Sequence, residues 1–252
     1  MVRVAVTQQE PVYFDLAGAV DKTCNLIAEA STGGAQLIAF PEVWICGYPM
    51  WICIAVVLGF SERDGDTLYI SQCTISASGD ILNKRRKLKP SHMEKTVYGD
   101  GDEKSLFSVV DIQGVGKTGA LSCFEHTQPL LKFHNIAQGE KIHIAAWPPL
   151  KPYENTMEEV FSMTAEGTVA VLGGGNSAVF APDGRRLTQP IKSDEEGIVY
   201  ADLPMEMGTV SKQIVDVIGH GAKPSVLWLG VDGDQKDSMR VLRSEESGKR
   251  KA

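Results

Sequence analysis

Three predicted β-strands each lead directly to a side chain that can take part in covalent chemistry. These side chains are the carboxylate of Glu42, the amine of Lys87 and the thiol of Cys123. A thiol is a good nucleophile only as the thiolate, and a neighbouring ammonium favours that form. A carboxylate can accept the thiol proton and later activate water, and a lysine can stabilise negative charge on the atom under attack. Taken singly, each residue also has an ordinary explanation, as a buried small hydrophobe or as a surface charge.

The elements that must position these residues follow an α/β pattern. Residues 2–6 predict a valine-rich strand, residues 15–30 have helical spacing with Asp15 as a plausible N-cap, and residues 37–40 predict a second strand. The order strand, helix, strand predicts a parallel unit with a right-handed crossover. Side chains at the ends of such strands converge at one edge of the sheet, where α/β sites usually lie.

Further strands outnumber the helices. One helix is predicted at 129–138, a short helical stretch at 156–163, and a hairpin at the Asp183-Gly184 turn. Gly114-Val-Gly-Lys-Thr118 looks like the end of a phosphate loop, but an apolar strand follows it, so we interpret it as a hairpin turn. The pattern predicts a layered α/β sandwich. The further strands are predicted at residues 55–60, 67–74, 106–112, 119–124, 142–147, 176–182 and 198–203.

Composition narrows the class of protein. The net charge of −7 disfavours a nucleic-acid partner, and the longest apolar stretch, 51–60, is too short to span a bilayer. We see no signal peptide, and the five cysteines have no metal-type spacing, which fits reduced thiols in the cytoplasm. Residues 1–231 are predicted to form one domain, and 232–252 a polar, disordered tail.

The residues around the three side chains form recognisable motifs. Leu-Ile-Ala-Phe-Pro-Glu42-Val-Trp resembles the glutamate motif of nitrilases, and Arg-Lys87-Leu-Lys-Pro-Ser-His-Met-Glu94 resembles their lysine motif. Ser-Cys123-Phe-Glu-His126-Thr-Gln-Pro resembles the cysteine motif, in closer agreement with true nitrilases than with the amidase branches. The resemblance covers nearly all of residues 2–232, and three motifs in the right order are a specific signal.

The resemblance to the nitrilase superfamily implies an αββα sandwich and a role for each residue. Glu42 is expected to be the general base, Lys87 to stabilise the tetrahedral intermediate and Cys123 to attack the substrate. Glu94 resembles the family's second glutamate, which positions the lysine and the substrate. His126 is expected to support the site, and a purely structural hydrogen-bonding role is an equal alternative.

The implied reaction is thiolate addition to a small-molecule nitrile, giving a carboxylic acid and ammonia, or an amide if the intermediate collapses early. No cofactor and no metal is expected. Family members pair through the face that bears the helix at 129–138, so we expect a homo-oligomer. Two alternatives stay open: an amidase-type hydrolase of the same superfamily, and a catalytically inactive homologue that acts as a subunit or binding module.

Two places are shorter than the family pattern. Family members place a helix between the glutamate and the next strand, and we interpret Cys53-Ile54 as the site of a deletion. After Pro149 they carry a helix and another strand, where this sequence has only residues 151–167 before its glycine-rich segment. A missing strand and helix would expose apolar sheet faces at roughly 25 cal/mol per Å². The sequence therefore predicts a truncated sandwich that folds poorly, depends on a partner chain or is inactive.

Overall fold

The computed structural model describes residues 1–13, 15–42, 44, 54–147, 169–173, 177–189, 191–192, 195–214, 216–219 and 221–232. The short helix predicted at 156–163, Cys53 at the predicted deletion and residues 233–252 of the predicted tail lie outside these ranges. Within them, no helix has both the length and the apolar character that crossing a membrane requires.

The chain begins with the predicted strand, helix and strand: β1 (Val2–Gln8), α1 (Leu16–Thr32) and β2 (Leu37–Ala39). Asp15 caps α1, since its carboxylate accepts a hydrogen bond from the Gly18 N–H at 3.0 Å. Gly34 follows the helix with φ +80°, a conformation that favours glycine. Strands β1 and β2 then pair in parallel, as predicted.

The first sheet has six strands in the order β11-β1-β2-β3-β4-β5. Its second half is an antiparallel meander of β3 (Ala55–Asp64), β4 (Thr67–Ile75) and β5 (Ile81–Arg86). β3 pairs in parallel with β2, so the parallel neighbours are kept across the segment where a deletion is predicted. At the other edge β11 (Gly197–Leu203) pairs antiparallel with β1.

The second sheet has five strands in the order β10-β9-β8-β7-β6. Its strands are β6 (Val110–Ile112), β7 (Gly116–Ser122), β8 (Ile142–Ala146), β9 (Val169–Gly173) and β10 (Ala178–Phe180). The expected loss of a strand before the glycine-rich segment is wrong, because β9 lies there and pairs in parallel with β8. Its run Val-Ala-Val-Leu has the continuous apolar character of a strand in a parallel sheet.

Two apolar clusters explain why the sheets stack and why helices cover them. Alternate residues of β1 and β2, such as Val4 and Leu37, pack with Ala120 and Ile144 of the second sheet. The opposite face of the first sheet packs on the apolar face of α1, which includes Ile27. The second sheet is covered by α2 (Pro129–Ala137), whose Asn135 side chain donates to Glu140 beside Gly119 of β7. A short helix, α3 (Glu206–Lys212), comes late in the chain. The αββα sandwich is thereby confirmed.

Local details differ from the prediction in one place and agree in two. The strand predicted at 106–112 is wrong over its first half. Residues Glu103–Leu106 form a 3₁₀ helix whose first turn is capped by the Asp102 carboxylate, which accepts from the Ser105 N–H and hydroxyl. The Asp183-Gly184 hairpin turn is confirmed, with Phe180 bridging Arg186 antiparallel. The turn at Gly114 is likewise confirmed, and β7 follows it as a strand.

Candidate active site

The structure brings the residues predicted from the sequence into one cluster. Glu42 follows β2, Lys87 follows β5 and Cys123 follows β7, so strands of both sheets deliver them. One carboxylate oxygen of Glu42, one of Glu94 and the Cys123 sulfur all lie within 4.8 Å of one another. All four side chains are buried or half-buried, so their charges interact through protein rather than through bulk water.

The ammonium of Lys87 is held by two carboxylates. Its Nζ donates to Glu42 Oε1 at 3.1 Å and to both oxygens of Glu94 at 2.9 Å. Burial alone would lower the pKa of Lys87, but Glu42, Glu94 and Cys123 outweigh it, so the pKa is raised and the amine stays charged. Glu94 is fixed in turn because its Oε2 accepts from the Ser91 N–H at 2.6 Å and from the Ser91 hydroxyl at 3.1 Å.

Glu42 combines burial with a free hydrogen-bonding position. Burial raises its pKa to about 7, against the opposing effect of Lys87. Its Oε2 is buried and has no hydrogen-bond partner within the described part of the chain. A carboxylate that titrates near neutral pH and has an unoccupied oxygen is suited to accept and return a proton.

Cys123 occupies a sharp turn between strand and helix. It has φ +48°, a left-handed conformation that costs a non-glycine residue about 1–3 kcal/mol, and it opens the 3₁₀ helix Cys123–Thr127. Burial and then the Glu42 charge raise the pKa of the thiol to about 11, while Lys87 and the Phe124 N–H act in the opposite direction. The resting side chain is therefore a thiol, which must lose its proton as it reacts.

An ion pair that the sequence reasoning did not predict joins the lysine and cysteine strands. Arg85 donates to both oxygens of Glu125, at 2.8 and 2.6 Å, and both side chains are almost fully buried. The same carboxylate accepts from the N–H of Leu88 and of Ser122, both at 2.9 Å. Leu88 follows Lys87 in the chain, and Ser122 precedes Cys123. The spacing of Ser122 and Glu125 is that of a capping box, a signal that could have revealed Glu125.

His126 lies behind the turn, away from the reacting groups. Its Nδ1 is 2.6 Å from the carbonyl oxygen of Cys123, and its Nε2 is 3.0 Å from Nε2 of His143. Burial, followed by the effect of His143, lowers the pKa of His126 well below its usual value. The structure thus places His126 against the backbone of Cys123. No local pattern in the sequence indicated His143 as its partner.

A cavity adjoins the cluster. It measures about 810 Å³, and its walls include His92, Phe124, Leu131 and the segment Leu229 to Asp232. Glu42, Lys87 and Cys123 are not among the residues that line it. Phe124, which follows the thiol directly, is 40% exposed and contacts the rings of His92 and Trp147 at 5.0 and 6.1 Å between centroids.

The cluster also contains donor types that bind metals. Glu42, Glu94 and Cys123 could supply two carboxylate oxygens and a sulfur. However, the Lys87 ammonium lies within 3.1 Å of both carboxylates and already donates hydrogen bonds to them. A cation bound there would have to compete with that ammonium, so the arrangement suits acid–base and nucleophilic chemistry better.

Comparison with known proteins identifies relatives at the level of sequence and of fold. The carbon–nitrogen hydrolase family profile matches residues 3–53 and 50–213. An arylacetonitrilase of Aspergillus niger is 46% identical, with 95% of this chain and 91% of that protein covered. An arylacetonitrilase of Macrophomina phaseolina is 43% identical, with 100% of this chain and 96% of that protein covered. The crystal structure of Nit3 of Saccharomyces cerevisiae, from the nitrilase superfamily, has a TM-score of 0.75 at 18% identity, covering 87% of this chain and 96% of that one.

These matches also bear on the predicted shortening. The alignment with the Aspergillus niger protein spans 309 positions, more than the 252 residues of the chain, so this chain lacks internal residues that the relative has. The family match is divided into two parts that meet at residues 50–53, next to the predicted deletion at Cys53-Ile54. A match over most of the chain, together with relatives above 40% identity, settles the family: this chain belongs to the carbon–nitrogen hydrolases of the nitrilase superfamily.

Proposed function

We propose that this protein hydrolyses nitriles through a covalent intermediate on Cys123, with arylaliphatic nitriles as its substrate class. The observation that carries the proposal is the buried cluster in which a thiol, an ammonium and two carboxylates meet. The curated relatives with 40–46% identity are named arylacetonitrilases, which supports the choice of a nitrile over other carbon–nitrogen substrates.

In the first step the sulfur of Cys123 attacks the nitrile carbon while its proton passes to Glu42. The raised pKa of Glu42, about 7, makes it a base that can hold this proton near neutral pH. The Lys87 ammonium stabilises the negative charge that develops on the nitrile nitrogen. Transfer of the proton to that nitrogen gives a thioimidate.

In the second step Glu42 activates a water molecule that adds to the thioimidate carbon. If the resulting tetrahedral intermediate expels ammonia, a thioester remains, and a second water molecule releases the carboxylic acid and restores the thiol. If it expels the thiol instead, the product is the amide. Glu94 assists both routes because its two oxygens hold Lys87 Nζ at 2.9 Å.

The aromatic group of the substrate is proposed to lie against Phe124. This ring is partly exposed, follows the nucleophile directly and is supported by His92 and Trp147. An aryl group there would gain edge-to-face contacts with the existing rings. Substrates with a flexible carbon between ring and nitrile would let the nitrile carbon reach the sulfur.

A second candidate function is that of a folded but inactive homologue, which acts as a subunit or binding module. The observation that favours it is the internal shortening relative to the arylacetonitrilases. Under this alternative Cys123 would have the reactivity of an ordinary buried thiol, and no ammonia would be released from nitriles or amides.

Assembly and location extend the proposal. We expect copies of the chain to pair through the face that bears α2, where Leu130 is 68% exposed. Residues 1–231 would act as one catalytic domain, with 232–252 as its tail. The free thiols of Cys73 and Cys123 fit a reducing compartment such as the cytoplasm. Sedimentation of the purified chain, with Leu130→Glu beside it, tests the assembly.

The experiment that tests the function follows ammonia release from phenylacetonitrile, with intact-protein mass spectrometry in parallel. Cys123→Ala is the control. Ammonia that requires Cys123, together with a substrate adduct on the protein, supports the nitrilase. If protein shown to be folded by circular dichroism gives neither, the inactive alternative is favoured. Turnover of phenylacetamide but not of the nitrile would indicate an amidase.

A further inference from the structure

A row of buried polar side chains extends from the back of the nucleophile turn into the second sheet. His126 Nδ1 lies 2.6 Å from the Cys123 carbonyl oxygen, and its Nε2 lies 3.0 Å from His143 Nε2. His143 Nδ1 lies 2.8 Å from Glu140 Oε1. All three side chains are less than 10% exposed. None of them has a part in the proposed chemistry, although polar groups are costly to bury.

The hydrogen-bond partners determine where the protons lie in this row. A carbonyl oxygen only accepts, so His126 Nδ1 must carry a proton and donate it. Burial lowers the pKa of His126 and keeps the ring neutral, so its Nε2 carries no proton and accepts from the Nε2–H of His143 at 3.0 Å. His143 and Glu140 share the one remaining proton between them. The row therefore fixes His126 as the Nδ1–H tautomer.

The surroundings keep this row in place. Glu140 Oε1 also accepts from the Asn135 side chain at 3.3 Å, and Asn135 Oδ1 accepts from the Ser108 hydroxyl at 2.9 Å. Gly119 in β7 leaves the space for Glu140, because a Cβ at that position would lie 1.9 Å from Oε1. The His126 ring is stacked on Trp147 with 5.2 Å between centroids. Each side chain is thus held on more than one side.

The group that His126 holds is the peptide between Cys123 and Phe124. The carbonyl at one end accepts from His126, and the other end carries the Phe124 N–H, which acts to lower the pKa of the adjacent Cys123 thiol and so favours the thiolate. A peptide group is planar, so fixing its carbonyl also fixes the direction of its N–H. Cys123 itself has φ +48°, and the hydrogen bond from His126 to its carbonyl is one of the contacts made by this strained turn.

We propose that His126, kept in its Nδ1–H tautomer by His143 and Glu140, is a positioning residue that orients the Cys123–Phe124 peptide toward the reacting sulfur. This inference rests on the proposed function, in which Cys123 is the nucleophile. His126 touches neither substrate nor sulfur and acts through the peptide. Loss of the row would misdirect the N–H and the thiol, which lowers the rate of the chemical step more than it weakens substrate binding.

The test compares two matched pairs of variants. His126→Phe keeps a ring on Trp147 but removes the donor, whereas His126→Asn places an amide N–H where Nδ1 was. His143→Leu removes the donor that fixes the tautomer, and His143→Gln keeps one. For each protein we would measure kcat and KM for phenylacetonitrile, and the rate at which iodoacetamide alkylates Cys123, by peptide mass spectrometry. Circular dichroism would confirm that each variant is folded.

We expect His126→Phe to lower kcat by about 10- to 100-fold, the loss typical of a small misplacement of reacting groups, with KM changed less than the rate. Alkylation of Cys123 should slow in parallel, and His126→Asn should recover most of both rates. His143→Leu should lie between them, with His143→Gln closer to the parent. Equal rates for the parent and His126→Phe would overturn the inference, as would equal losses in the Phe and Asn variants. A parent protein without Cys123-dependent turnover would refute the proposed function instead, and the alkylation rates would still test the positioning.

Discussion

Replacing Glu125 by glutamine keeps the shape of this side chain but removes half of its capacity to accept hydrogen bonds. Each carboxylate oxygen accepts two: Oε1 from Arg85 and the Leu88 N–H, and Oε2 from Arg85 and the Ser122 N–H. In Glu125→Gln one oxygen becomes an NH₂ group that faces two donors. Whichever way the amide turns, one bond to Arg85 and one bond to the backbone are lost.

The magnitude follows from burial. Arg85 is 2% exposed and Glu125 is 4% exposed, so the guanidinium would keep its charge without a full partner. Breaking a buried ion pair from one side costs about 3–5 kcal/mol. For a protein of this size each kcal/mol lowers the melting temperature by about 2–4 °C, so the expected decrease is about 6–20 °C. The lost backbone bond adjoins either Lys87 or Cys123, so kcat for ammonia release should fall as well.

The chain offers a matched control on its surface. Arg3 donates to Asp202 with the same two-pronged geometry, at 2.7 Å to each oxygen, but both side chains are exposed. Exposed ion pairs contribute little to the stability of the folded state, so Asp202→Asn should leave the melting temperature and kcat unchanged within error. Thermal unfolding followed by circular dichroism at pH 7.5 measures both variants. If Glu125→Gln and Asp202→Asn had the same melting temperature, the argument that burial makes the Arg85–Glu125 pair essential would be refuted.

Three further predictions concern the site. The value of kcat/KM should rise as pH increases through about 7, because Glu42 must be deprotonated to act as a base. Burial raises the pKa of Glu42 to about 7. A pH profile that is flat from pH 5 to 9 would contradict this prediction. Glu94→Gln weakens the hydrogen bonds that position the Lys87 ammonium, so kcat from initial-rate kinetics should fall by about 100-fold. A variant as active as the parent would exclude a role for Glu94 in positioning Lys87. Gly119→Ala would place a Cβ 1.9 Å from Glu140 Oε1, so the free energy of unfolding measured by chemical denaturation should fall by about 1–3 kcal/mol. Gly208→Ala is the control, since Gly208 lies in a helix with open space around it and this change should not destabilise the chain.

Patterns that are local in the sequence predicted which reactive side chains would form one cluster and the strands that end at it. Apolar stretches that end at Glu42 and Cys123 and the motif around Lys87 are each visible over a few residues, and the structure brings these three side chains together with Glu94. The strand, helix and strand at the start of the chain are set by local periodicity and by the Asp15 cap. Before Val110 the apolar residues predicted a strand from residue 106, but the Asp102 cap stabilises a 3₁₀ helix at Glu103–Leu106 instead.

The groups that hold the cluster depend on the tertiary structure instead. Arg85 and Glu125 are 40 residues apart, one in β5 of the first sheet and the other in the 3₁₀ helix after β7 of the second, so nothing in their separate segments indicates that they pair. His126 and His143 meet because β7 and β8 are parallel neighbours, and Gly119 makes room for Glu140 on the same face. The sequence by itself determined which residues have reactive side chains and which strands end at them. Packing of the two sheets decided which buried charges are satisfied, and hence the pKa values and the backbone geometry on which the chemistry depends.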